Sequence, residues 1–307
     1  MTQERPINFN CEGNRLDGII HLPEQPAKQG LLIIVGGPQY RVGSHRQFLL
    51  LARNLAATGI AVMRFDYRGM GDSEGEMGIP EPCEHIDQDI RTAVDTFITQ
   101  VPELEEVALW GLCDGASAAL LYAHTDPRVT GVAVLNPWVS TAAGAAKAYL
   151  KHYYTKRLLS ADFWRKILHF EFNFIASLKS FLSSIVAATS GTKKGQLEPR
   201  NPKEPNSTAL ANTVGERPVH ERMADGLQAF TGRVLLIISG NDLIATEFMN
   251  LASSNEKWRQ QLLSPRITCH TFQEADHTFS CRAWRDQVAV WTRDWMQSSG
   301  SVKCEIS

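Results

Sequence analysis

The segment Trp110-Gly111-Leu112-Cys113-Asp114-Gly115 sets a thiol between two glycines, after an apolar run and before the alanine-rich stretch that begins at Ala116. A strand that turns sharply into a helix needs small residues two before and two after the turning residue, because the backbones crowd there. Gly-x-Ser-x-Gly is the known nucleophile elbow of this kind, and here sulfur takes the nucleophile's place. Cys113 is therefore the candidate nucleophile, attacking an acyl carbonyl to form a covalent thioester. The plainer alternative is a glycine-bearing junction around a buried structural cysteine.

Such a nucleophile needs a base, and the base needs a group to orient it. Glu274-Ala275-Asp276-His277-Thr278-Phe279 follows the last, weak strand and precedes the final helix, where a loop would hold an imidazole over the sheet edge. His277 is the candidate base; His270, inside the predicted strand, reads as structural. Ser239-Gly240-Asn241-Asp242 follows the strand before last, and Asp242 is the candidate orienting carboxylate. Its other reading is a cap for the helix beginning near Ala245. Acyl transfer also needs donors for the developing oxyanion. One is the amide of Asp114, at a helix N-terminus where the dipole also favours a thiolate. The second should come from Val35-Gly36-Gly37-Pro38-Gln39: Pro38 has no N–H, which leaves Gly37 first and Gln39 as the fallback, unless the segment is a plain loop.

These residues require a scaffold that brings strand ends to one edge. Leu31–Val35, Ala61–Phe65, Glu106–Trp110, Gly131–Leu135 and Arg233–Ile238 are apolar runs of strand length, with Arg266–His270 a weaker sixth. Gln47–Thr58, Cys83–Thr99, Ala116–Ala123 and Arg282–Trp295 are amphipathic stretches of helix length between or after them. Strand alternating with helix predicts an α/β architecture with a mostly parallel sheet buried on both faces. Ile7–Cys11 and Leu16–His21 alternate around Glu12-Gly13-Asn14 and should form an antiparallel N-terminal edge.

The alternation stops between about Trp138 and Gly232. The expected organisation is a core of 1–137, a helical cap insertion over 138–232 with a mobile loop near 189–216, and a second core segment of 233–307. Phe163, Trp164, Ile167, Phe170, Phe174 and Leu178 recur at helical spacing within the insertion, either to pack it or to line an acyl pocket.

Composition narrows the function classes. With 43% hydrophobic residues in 307, the chain can bury a core without disulfide or metal staples. Lys and Arg total 31 against 33 Asp and Glu, with no basic cluster, which argues against nucleic acid or an anionic membrane as partner. No stretch is long and apolar enough to span a membrane. Met1 to Arg15 lacks the basic-then-apolar pattern of a secretory leader, so the cytoplasm is the expected compartment. The six cysteines form no CxxC pair, and the chemistry needs neither a metal nor an organic cofactor. The expected partner is a small-molecule acyl substrate.

After the second apolar run comes Asp66-Tyr67-Arg68-Gly69-Met70-Gly71-Asp72-Ser73-Glu74-Gly75, three glycines without the GK[ST] of a phosphate-binding loop. This Asp-x-Arg-Gly-x-Gly-x-Ser-x-Gly loop, the elbow, Gly-Asn-Asp and Asp-His, in this order, resemble the α/β-hydrolase superfamily over most of the chain outside 138–232. The order Cys113, Asp242, His277 is that superfamily's order of nucleophile, acid and base. Ile34–Arg46, Trp110–Ser117 and Asn136-Pro-Trp-Val139 resemble the hydrolase 1 type associated with exosortase A and PEP-CTERM exopolysaccharide systems. The resemblance implies an α/β-hydrolase fold, acyl hydrolysis and a link to exopolysaccharide machinery. Cysteine in place of serine is shared in kind with dienelactone hydrolase-like enzymes and some acyltransferases. Two rivals stand beside an ester or thioester hydrolase: an acyltransferase on the same residues, and a catalytically silent scaffold.

Overall fold

Each apolar run becomes a strand because it can be covered on both faces by helices that share its apolar periodicity. The structure, a computed structural model, describes residues 2–36, 39–76, 86–139 and 217–298. The strands are β1 (Gln3–Cys11), β2 (Asn14–Leu22), β3 (Gln29–Ile34), β4 (Ala61–Phe65), β5 (Glu106–Leu112), β6 (Val129–Leu135), β7 (Arg233–Ser239) and β8 (Ile267–Phe272). They form one sheet of order β1-β2-β4-β3-β5-β6-β7-β8. β3 to β8 run parallel, and β1 and β2 form the antiparallel edge, with β2 also antiparallel to β4. Cys11 pairs with Asn14, so the hairpin turn is the two residues Glu12 and Gly13, with φ of 48° and 87°. Both lie in the left-handed region, as a two-residue turn matching the strand twist requires. Asn14, expected in the turn, begins β2 instead.

Along β3 the side chains divide with period two: Leu31, Ile33 and Val35 join one apolar cluster, Leu32 and Ile34 the other. The first is covered by α1 (Gln47–Ala57) and α7 (Arg282–Gln297), through Phe48, Leu51, Leu55, Trp295 and Met296. The second is covered by α2 (Asp87–Gln100), α3 (Asp114–Tyr122), α4 (Val219–Ala229), α5 (Leu243–Ser254) and α6 (Glu256–Leu262). Five crossovers therefore deliver their loops to the carboxyl edge of the parallel strands, where α/β sheets hold their sites.

The expected insertion is shorter at its end than the sequence suggested. Residues 219–229, assigned there to the cap, form α4 and pack on the core, with Met223 and Leu227 buried one turn apart. Their helical periodicity matches that of a cap, so sequence alone could not tell which surface they cover. α6 was also not foreseen; Asn255 caps it through bonds from Lys257 N (3.0 Å) and Trp258 N (3.3 Å). The described residues belong to a unit formed by Met1–Ser140 and Asn212–Ser307. The remaining cap and loop assignments, including Phe163, Phe170 and Phe174, lie outside the described residues, as does Gly37. Among the described residues no helix is long and apolar enough to cross a membrane.

Candidate active site

Cys113 sits between β5 and α3 with φ 60° and ψ −124°. An L residue held in such a region costs about 1–3 kcal/mol, which persists only where the surroundings enforce it. Here they do. The Cys113 N–H donates to Leu135 O at 2.9 Å, and its carbonyl accepts from Ala116 N (3.1 Å), Ser117 N (3.2 Å) and Trp138 N (3.2 Å). The glycines of the motif are demanded by close approach: a Cβ on Gly111 would stand 2.3 Å from Gly115 O, and one on Gly115 would stand 2.5 Å from Ile34 O. Gly36 is equally constrained, since its Cβ would lie 2.3 Å from Asp114 Oδ1 and 2.6 Å from Leu112 O. The end of β3 is thus wedged against the elbow, and no residue larger than glycine fits.

The loops after β7 and β8 converge. His277 Nδ1 donates to Asp242 Oδ2 at 2.7 Å, which leaves Nε2 for the Cys113 thiol. The hydrogen bond to Asp242 is the main reason the His277 pKa is pushed up to about 10; the bond to Cys113 adds to it, and burial opposes both. For Asp242, burial acts to raise the pKa, yet the bond and charge of His277 and the amides of Ala245 and Ile244 together hold it below its ordinary value. The Asp242 side chain accepts from Ile244 N (3.2 Å) and Ala245 N (3.1 Å), capping α5, as well as from His277 Nδ1.

Cys113, Asp242 and His277, predicted from three separated segments, are therefore brought together. Asp114 begins α3, so its amide stands at the helix N-terminus beside the thiol. The fallback donor residue, Gln39, uses its side chain locally: Oε1 accepts from Ser44 N (3.0 Å) and Ser44 Oγ (3.1 Å). Asp276, the neighbouring carboxylate, accepts from Thr278 N (3.1 Å) and Ser280 N (3.0 Å) and so shapes its own loop. His270 lies in β8, stacked on Trp291 with ring centroids 4.4 Å apart, and burial lowers its pKa.

The glycine loop after β4 is a brace. The fully buried Asp66 carboxylate accepts from Arg41 N (2.5 Å), from Asp72 N (3.2 Å) and from the Arg41 guanidinium, whose NH2 reaches Asp72 at 2.7 Å. Arg41 lies on the segment that follows Gly37, so the loop anchors the stretch expected to supply an oxyanion donor. Sequence reasoning missed Arg41, Gly36 and Ser117, whose Oγ donates to Trp138 O at 2.6 Å. Ser117 alone carried a signal, as a hydroxyl within an otherwise apolar helix. Among the described residues no group of three or more His, Cys, Asp or Glu could hold a metal ion.

The fold that carries this geometry is shared with known proteins. The esterase Pf2001 of Pyrococcus furiosus superposes with a TM-score of 0.60 at 14% identity, over 96% of this chain and 93% of that one. Est1E of Butyrivibrio proteoclasticus, solved with ferulic acid, gives 0.59 at 15% identity over 94% and 97%. A dienelactone hydrolase from Anabaena variabilis gives 0.57 at 14% over 96% of each chain. These likenesses establish the α/β-hydrolase fold. In sequence, 122 residues are 26% identical to the polyketide transferase grgF of a Penicillium species, 38% of this chain and 40% of that protein's length. The profile of the family described as serine aminopeptidase, S33 (Hydrolase_4) matches residues 27–203, more than half of the chain and including the elbow, and the chain belongs to that family.

Proposed function

We propose that this hydrolase cleaves an ester or thioester bond through a covalent acyl-enzyme on Cys113. The observation that carries the reading is the left-handed Cys113 elbow in bonding reach of a His277 already oriented by Asp242. His277 takes the proton of the Cys113 thiol, Sγ attacks the acyl carbonyl, and the negative oxygen is met by the amides of Asp114 and Gly37. The His277 imidazolium then gives its proton to the leaving alkoxide or thiolate as the carbon–oxygen or carbon–sulfur bond breaks. In the second half His277 takes a proton from water, the hydroxide attacks the thioester, and the acid leaves with return of the proton to Cys113.

A second reading is favoured by sulfur at the elbow and by the partial likeness to a protein named as a transferase. A thioester reacts well with amines and thiols, so the same acyl-enzyme can pass its acyl group to an acceptor other than water. The oriented His277 and the family membership speak against a silent scaffold. The likeness of 34–46 and 110–117 to exosortase-associated hydrolases supports assigning the acyl chemistry to exopolysaccharide or PEP-CTERM machinery, on the cytoplasmic side. Turnover of a panel of activated esters and acyl-CoAs, by wild type and Cys113→Ala, with water alone or with added amine and hydroxyl acceptors, tests the reading. Hydrolysis lost in Cys113→Ala supports it; acceptor products exceeding acid favour transfer; hydrolysis retained in Cys113→Ala overturns it.

A further inference from the structure

Asn136 follows β6, is fully buried and has φ 43°, a left-handed backbone that asparagine tolerates better than most side chains. Its partners fix which way the amide points. Ser239 N–H can only donate, so Oδ1 faces it at 2.9 Å; the His277 carbonyl can only accept, so Nδ2 faces it at 3.0 Å. The other Nδ2 hydrogen goes to Ser239 Oγ at 2.7 Å.

The main chain around Asn136 completes the junction. Its own N–H donates to Ile237 O at 3.1 Å, Leu135 O takes the Cys113 N–H at 2.9 Å, and Trp138 N–H returns to Cys113 O at 3.2 Å. Asn136 therefore bonds to the backbone of His277 and to a strand end three residues before Asp242, and lies between two bonds to Cys113. We propose that Asn136 is a positioning residue, which holds the backbone of His277 in register with Cys113 and Asp242. Satisfying a buried amide needs no particular partner; here one end of this one falls on the loop of the base and the other on the strand end that leads to the acid. The inference rests on the triad proposed above but makes a separate claim about it.

The test compares wild type with N136G, which keeps the left-handed backbone available, and N136D, which is nearly isosteric but turns an oxygen toward the His277 carbonyl. kcat and KM are measured with an activated ester, His277 is titrated by NMR of labelled histidine, and thermal melting checks folding. The expected result is a fall in kcat on the order of 10²-fold, the cost of about 1 Å misplacement, with KM little changed and His277 titrating closer to its ordinary value than in wild type. S239A, which removes only the hydroxyl arm, should lose far less. If N136G does not fold, N136D carries the decision. A folded variant with wild-type kcat, or with reduced kcat but an unchanged His277 titration, overturns the positioning role. Should wild-type His277 itself titrate at its ordinary value and tolerate alanine, it is the triad that fails.

Discussion

His277 Nδ1 donates to Asp242 Oδ2 at 2.7 Å, and the same carboxylate caps α5 through the amides of Ile244 and Ala245. One side chain thus caps a helix and holds an imidazole, and substitutions separate the two. Asparagine caps a helix about as well as aspartate, whereas alanine costs about 1 kcal/mol. Asp242→Asn should lose on the order of 10²–10⁴ in rate, because the amide lets the imidazole adopt the wrong tautomer. Asp242→Ala should lose as much rate and melt lower than Asp242→Asn. Equal melting with unequal rates would separate the carboxylate from the helix it begins.

The pair also sets a pH dependence. A group whose folded pKa is raised, as at His277, contributes stability in full below about 6.5, and that contribution fades as pH climbs toward about 10. Asp242, lowered, contributes above about 3.9 and loses its contribution as pH falls. The stability difference between wild type and Asp242→Asn should therefore be largest from about pH 4 to 6.5 and shrink on the alkaline side. A difference that widens from neutral pH upward would contradict the ion pair.

The same protonation shapes the rate. Acylation needs the imidazolium to protonate the leaving group, so single-turnover acylation should decline as pH rises toward about 10, and in Asp242→Asn the decline should begin near about 6.5. Acylation profiles of the two proteins that superimpose would remove Asp242 from the account.

Cys113 stores strain that glycine would release. Cys113→Gly removes the proposed nucleophile and a conformational cost of about 1–3 kcal/mol, partly offset by the greater freedom of glycine in the unfolded chain. It should be inactive and melt at or above wild type, while Cys113→Ala, also inactive, keeps the strain and melts lower than Cys113→Gly. The reverse order of the two melting temperatures would show that the elbow is unstrained.

Gly115→Ala tests the wedge between β3 and the elbow. The added methyl would meet Ile34 O at 2.5 Å, backbone that cannot swing aside, and overpacking of this kind costs about 1–3 kcal/mol. The variant should lose both stability and activity. A wild-type melt and rate would mean that the two segments are free to part.

Much of this was legible in the sequence, for identifiable reasons. The strands announced themselves because parallel strands covered on both faces are nearly continuous apolar runs, and Cys113 and Asp242 stood out because each follows such a run, while His277 stood out from its loop position before the last helix. Asn136 did not, although it also follows one: its importance lies in a backbone carbonyl 141 residues away, which no local pattern encodes. α4 was misplaced because an amphipathic helix declares that one face is buried without declaring against what. Gly36 was noticed only as part of a loop, since close approach to Asp114 belongs to the packing of β3 on α3.

The central claim is a covalent acyl-enzyme on Cys113, and rapid-quench intact-mass spectrometry with an activated ester tests it most directly. The expected result is a burst of first product, a mass gain equal to the acyl group that maps to Cys113, and faster discharge when a nucleophilic acceptor is added. Sustained turnover with no adduct at any quench time, together with wild-type rate in Cys113→Ala, would contradict it.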